Sequence, residues 1–307
     1  IKSEVMLKHL NKKKNLLSLK SYLPNFNEKI KFENHKIKIN YKKKIFDIKG
    51  SGDVLIDEKP DSLKYQISKN NDQLFFETKI NLKNKRLIIE FLDFEKVKGS
   101  DSSILIKGIL KKNNQIKFDL ISFEEKNNKI LFKDIILNKD FKLTSIDSFD
   151  INYLNNNDIR NQLILKKNNS NYTIEGENFD ASRLINEVMD EDSKDSSIFD
   201  NLNTKLNLKI NKTYIDEINF INELSGILSF KNNKIIDAKL GSTFSNKKKI
   251  NLSISINGKK EKIIRLDTDY PEPLIKRYDF IKGFEGGYLN YYSVKKNGIT
   301  NSLLVID

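Results

Sequence analysis

Few side chains in this 307-residue chain could do chemistry. It has no cysteine and only two histidines, His9 and His35. That excludes disulfides and thiolate metal sites, and two imidazoles do not make a His-rich metal centre. Glu124-Glu125 and Asp190-Glu191-Asp192 could serve as acid/base pairs or calcium ligands. They stand beside turn and linker residues, where carboxylates are normally solvated. There is no G-x-S-x-G elbow and no Walker-type Gly-Lys-Ser/Thr. The glycines of GSGD (50–53) and GFEGG (283–287) lack a following helix with phosphate-binding logic, and read as bulges or close strand approaches. Tyr288, Tyr291 and Tyr292, beside Lys295 and Lys296, could stack single-stranded nucleic acid. A cross-strand role is the better reading, because Tyr288 and Tyr292 share one strand face and Tyr291 lies opposite. No catalytic residue, metal or cofactor is expected.

The elements around these groups alternate with period two. KIKINYK (36–42), TKLNLKIN (204–211) and INLSISING (250–258) each set aliphatic residues on one face against Lys, Asn and Ser on the other. Looser runs follow at 75–82, 86–91, 103–110 and 116–123. Between strands stand Asn-rich punctuators at 111–115, 126–129, 167–170, 231–234 and 295–298. Asn tolerates the left-handed backbone of tight hairpins. Helical signals are scarce: residues 180–189 behind an N-cap-like Asp180, residues 271–279 behind Pro271, and a basic stretch within 1–26. DEDSKDSS (190–197) reads as a solvated linker. The expected fold is mainly β, a long antiparallel meander with two or three short helices, and on periodicity alone a closed sandwich is favoured. The expected segments are 1–26 (N-terminal, basic), 27–178 (first β-array), 179–200 (helix and acidic linker) and 201–307 (second β-array).

Net charge is +13, and residues 1–50 carry 14 Lys against Glu4, Glu28, Glu33 and Asp47. A nucleic acid or a phospholipid surface would complement that excess. Compositional bias toward Lys, Asn and Ile accounts for it as well, and is preferred, so no nucleic-acid partner is expected. Mean hydropathy of −0.55 and the lack of a long apolar run argue against a membrane-spanning helix. The chain begins at Ile1 and is expected to be an internal piece of a longer protein.

So many one-sided strands raise a covering problem. Every exposed apolar Å² forgoes roughly 25 cal/mol, and the helices are too few to cover the faces. The sheet must close as a sandwich or barrel, or curl into a trough whose lining meets an apolar ligand. Residues 172–188 and 263–280 also repeat one order, strand, Asp, short helix, which suggests an array of repeated units.

Those repeats carry a resemblance. IEGENFDASRLI (174–185), with Gly176, Asp180, Ala181, Leu184 and Ile185, resembles the G-x-x-x-D-A-x-x-L-I segment of the AsmA-like bacterial envelope protein superfamily (YhdP/TamB-type). LDTDYPEPLIKRYDFIKGFEGGYLNYY (266–292), with Asp267, Asp269, Gly286 and Gly287, is similar to that family's strand-Asp-helix and GG-x-L strand. FDIKGSGDVLID (46–57) and NSLLVID (301–307) resemble its recurrent strands, the latter leading toward a C-terminal module. Asp269-Tyr270-Pro271 departs from the family's Asp-Ala-Gly. The resemblance implies that the meander is curled into an open groove, a taco-like periplasmic β-array of Gram-negative bacteria, inner-membrane anchored, moving phospholipid between inner and outer membranes through that apolar groove. It implies no enzyme and no cofactor, with phospholipid acyl chains as partners. The candidate groove lining is Leu206, Leu208, Ile210, Leu228, Phe230, Ile250, Leu252, Ile254 and Ile256. The alternative is a scaffold of closed β-sandwiches in envelope assembly.

Overall fold

The computed structural model describes residues 3–6, 19–26, 29–42, 45–70, 72–183, 185, 203–232, 234–278, 286–297 and 299–307. The chain is mainly β and divides into two compact units, Ile1–Arg160 and Asn161–Asp307. The acidic linker 190–197 lies outside the described residues, as does most of the N-terminal basic segment.

Unit 1 is built from β1 (Ser3–Met6), α1 (Leu19–Tyr22), β2 (Lys29–Lys42), β3 (Ile45–Leu55), β4 (Pro60–Asn70), β5 (Gln73–Asn81), β6 (Leu87–Ile89), β7 (Phe94–Lys96), β8 (Ser102–Leu110), β9 (Ile116–Glu125), β10 (Asn128–Leu137), β11 (Leu143–Ser145) and β12 (Ser148–Leu154). Hydrogen bonding runs β1-β2-β3-β4-β5-β8-β9-β10-β12, antiparallel throughout. One cross-strand row reads Ile39, Ile48, Ile67, Phe76, Gly108, Phe118, Ile135. Alternation in each strand has therefore summed to one apolar face.

Unit 2 contains β13 (Arg160–Asn168), β14 (Asn171–Asp180), β15 (Thr204–Tyr214), β16 (Phe220–Lys231), β17 (Lys234–Phe244), β18 (Lys249–Ile256), β19 (Lys262–Thr268), α2 (Glu272–Tyr278), β20 (Leu289–Lys296) and β21 (Ile299–Ile306). These strands pair in chain order. The expected antiparallel meander is broken once, because β14 and β15 are parallel. Two parallel neighbours need a long crossover, and residues 181–203 supply it; the sheet is mixed.

Hairpin turns follow the expected chemistry. Asn114, Asn169, Asn232 and Asn297 all take positive φ, while at 126–129 it is Lys126 that does so. Close approach explains the glycines of GSGD: a Cβ on Gly50 would fall 2.1 Å from Tyr65 Cζ, and one on Gly52 would fall 2.4 Å from His35 Cδ2. His35 is itself a buried core residue, edge-on to Phe32 with its Nε2 2.9 Å from the Asp53 carbonyl.

Two corrections concern smaller elements. Two or three short helices were expected, but among the described residues only α2 exceeds a single turn. The run 86–91 is not a strand of the main ladder: β6 pairs only with β7, and Glu90–Leu92 form a 3-10 turn ending at Asp93 with φ 50°.

That detour stoppers one end of unit 1's apolar face. Phe94 is 1% exposed and meets Phe123 and Tyr153 edge-on at 5.6 and 5.7 Å, and the Tyr153 hydroxyl donates to the Leu92 carbonyl at 2.9 Å. Leu23, Phe26 and Leu82 cover Val54, Ile56 and Leu63 beside it. The stopper is pinned by two buried lysines. The fully buried Lys96 ammonium donates to the carbonyls of Leu82, of Lys83 at 3.1 Å and of Lys85 at 2.6 Å, which uses all three of its protons. Lys85 donates to Asp57 and to the Lys59 carbonyl, and its ammonium lies 3.5 Å from Asp61 Oδ2, which accepts no hydrogen bond.

Replacing Lys96 by Met leaves the inward-facing Lys85 carbonyl without its donor, while the carbonyls of Leu82 and Lys83 keep Ser102 Oγ and the Gly99 amide, and should cost roughly 1–3 kcal/mol in denaturant unfolding. Burial alone would raise the Asp57 carboxyl, but Lys85 and the Lys59 amide hold it below its ordinary value. A lowered carboxylate stabilises the fold above about pH 4 and ceases to as pH falls through the lowered value. Asp57→Asn should therefore lower Tm at pH 7, with the gap to the parent chain closing in acid.

Candidate functional site

The candidate lining residues converge. Pairing sets Leu206 opposite Leu228, Thr204 opposite Phe230, Leu228 opposite Ala238, Ala238 opposite Ile254, Leu240 opposite Leu252, and Ser242 opposite Ile250. Directly opposed residues share a face, so all nine candidates lie on one side of the sheet. One row reads Leu165, Ile174, Leu208, Gly226, Leu240, Leu252, Leu266, Tyr291, Leu304. At about 4.8 Å per strand it runs for roughly 40 Å. The row beside it on the reverse face reads Glu175, Lys209, Ser225, Gly241, Asn251, Asp267, Asn290. The sheet is amphipathic from β14 to β20, and on the flanking strands the reverse row ends in Ile164 and Val305.

Among the described residues, one end of this face is covered. Ile215, Ile221 and Phe244 form a buried cluster against which Ile185, Leu224, Ile250, Tyr270 and Leu274 pack. Ile185 follows a helix start: the Asp180 carboxylate accepts from the Ser182 amide at 3.0 Å, and the Ile185 amide donates to the Ala181 carbonyl at 2.9 Å. The Asp180 carboxylate thus holds the first helical amide from one residue before Ala181, whose carbonyl accepts the first helical bond, and Leu184 lies outside the described residues. α2 contributes Leu274, and Arg277 ties it to the Ser182 carbonyl at 2.9 Å. Away from this stopper Leu206, Leu208, Leu228, Phe230 and Leu252 stay half-buried, and Ile256 is 48% exposed. Ile210 and Ile254 are buried, at 4% and 8% exposure.

The second set of motif residues plays structural parts. Asp267 accepts from Asn251 on the polar face at 2.9 Å. Asp269 does not cap α2: its amide donates to the Lys249 carbonyl, and the turn before Pro271 is held by the Tyr270 amide donating to Thr268 Oγ1 at 3.1 Å. Gly286 and Gly287 take φ of 78° and 85°, and the Gly286 amide donates to Glu272 at 3.0 Å. Gly176 sits where the register shifts, and a Cβ there would lie 2.4 Å from Leu163 Cδ2. The tyrosines divide as expected: Tyr291 joins the apolar row, and Tyr292 lies on the polar face with the Arg265 guanidinium 5.4 Å from its ring centre.

Among the described residues no group of three or more His, Cys, Asp or Glu is placed to hold a metal ion. No helix of the described residues is long and apolar enough to cross a membrane. What the arrangement offers is a broad apolar face, able to take up hydrocarbon. Sequence reading missed Gly226 within it. Its φ is 145°, and a Cβ would fall 1.9 Å from the Lys239 carbonyl oxygen, so β16 and β17 meet there only because a side chain is missing. No protein-family model, no curated protein and no solved structure matches this chain.

Gly226→Ala should force β16 and β17 apart and cost roughly 2–4 kcal/mol. Loss of amide-exchange protection confined to residues 221–244 would confirm the site of damage.

Proposed function

We propose that the chain is a non-enzymatic segment of an AsmA-like periplasmic protein, and that its apolar faces curl into a groove for phospholipid on its way between inner and outer membranes. The supporting observation is the apolar face of unit 2, crossed by a continuous row from Leu165 to Leu304, covered by short helices along the strand ends of β15–β18 and half-exposed beyond them. Unit 1 repeats the arrangement, with a row from Ile39 to Ile135 and a stopper of loop and 3-10 turn. A face of this kind asks for no polar recognition. Each methylene of an acyl chain laid on it contributes about 0.8 kcal/mol, so a single chain is held by length alone while its headgroup stays in water. In this reading inner and outer membranes are reached through other parts of the parent protein, and nucleic acid is not a partner.

The alternative, a scaffold of closed β-sandwiches, needs a second sheet packed on each apolar face. Among the described residues the only sheet besides the main one is the two-stranded β6–β7 pair. The open arrangement favours the lipid reading.

Native mass spectrometry of the purified chain should detect co-purified phospholipid. Replacing both Leu208 and Leu252 by Asp should remove the adducts while the circular-dichroism spectrum stays that of a β-sheet protein. A parent chain that carries no lipid, or a double variant that carries as much as the parent, contradicts the proposal.

A further inference from the structure

The reverse face of unit 1 carries a second feature. On β2–β5, Lys38 lies directly opposite Lys49, and Lys64 directly opposite Lys79. Lys36 faces Ser51, which in turn faces Lys64. Like charges placed opposite each other on a ladder destabilise it. The acids on the same face do not relieve them. Asp47 accepts from Gln66 at 2.7 Å, Asp53 from Asn34 at 2.8 Å, and Glu77 pairs with Lys107 at 3.1 Å. Among the described residues none of these five lysines makes an ion pair. Lys36, Lys38, Lys49 and Lys64 instead surround a shallow hollow of about 380 Å³ floored by Gly50 and Ser51.

Apolar residues project at one end of this basic face. Ile45, 51% exposed, is opposite Lys42, and Phe75, 37% exposed, is opposite Ser68. Ammonium groups spread over several strands, with an aliphatic and an aromatic side chain projecting beside them, match one environment best. An anionic bilayer surface accepts lysines at its phosphates and takes exposed Ile and Phe into the headgroup boundary. A nucleic acid would reward the lysines but not Ile45.

We propose that the polar face of β2–β5 is a docking surface for anionic lipid bilayers, with Lys36, Lys38, Lys49, Lys64 and Lys79 on the headgroups and the side chains of Ile45 and Phe75 dipping between them. This does not depend on lipid lying on the opposite, apolar face; either can hold without the other.

The test is co-sedimentation of the full chain with phosphatidylcholine vesicles, with and without phosphatidylglycerol. Binding should require phosphatidylglycerol and weaken as salt rises. The Lys38→Gln/Lys64→Gln variant should lose about fivefold in partitioning per lysine, whereas Lys247→Gln/Lys248→Gln, in an exposed turn of unit 2, should bind like the parent. Because each Gln removes one of two opposed charges, Lys38→Gln/Lys64→Gln should melt no lower than the parent at low salt, which separates lost docking from lost folding. Equal binding to neutral vesicles, or undiminished binding by Lys38→Gln/Lys64→Gln, overturns the proposal. So does displacement of the vesicles by inorganic phosphate or a single-stranded oligonucleotide at matched phosphate concentration.

Discussion

A β-sheet that alternates apolar and polar residues along every strand generates two faces of opposite character, and the apolar one must be kept from water at roughly 25 cal/mol for each Å². Among the described residues of each unit that requirement is met at one end. Phe94, Leu87 and Phe26 close it in unit 1, and Ile185, Tyr270 and Leu274 do so in unit 2. Beyond the stoppers the rows of Ile, Leu and Phe are shielded by their cross-strand neighbours and by nothing thicker among the described residues. The functional reading follows from that imbalance.

The stoppers differ in chemistry but answer the same need. Unit 2 uses a helix start held by the Asp180 carboxylate and α2, joined by Arg277. Unit 1 uses an irregular loop that has no helical ladder to satisfy its carbonyls, so a buried ammonium does it. Burial pulls the Lys96 ammonium below the ordinary lysine range, against the opposing charges of Glu125 and Asp61. Its three hydrogen bonds offset that desolvation and fix the loop in place. The glycines serve the faces rather than any ligand chemistry: Gly50, Gly52, Gly108 and Gly226 are where a neighbouring ring or backbone fills the space a Cβ would take.

Much of this was legible in the residues. Alternation in 204–211 and 250–258 placed seven of the nine candidates on one face of their strands, and the register keeps them together with Leu228 and Phe230. Asn-rich turns were readable because the left-handed backbone is a local property. Non-local pairings were not. Nothing in 181–203 announces that β15 will run parallel to β14, since a crossover differs from a hairpin only in where the chain returns. The division after Arg160 carries no change in composition. RLIIEF looked like a ladder strand because its pattern is apolar, and only the tertiary hold of Lys96 turns it aside. The opposed lysines were equally hidden: Lys38 and Lys49 are ordinary solvated residues until the register of β2 on β3 sets them against each other.

The central claim, that hydrocarbon rests on one face of the unit 2 sheet, is tested most directly by photo-crosslinking at successive positions of β18. With a benzophenone side chain introduced singly at each of residues 251–256 in phospholipid-loaded protein, labelling of acyl chains should alternate. Positions 252, 254 and 256 should crosslink, and 251, 253 and 255 should not. Uniform labelling along the strand, or labelling confined to the Asn251–Ser253–Ser255 side, would contradict the account.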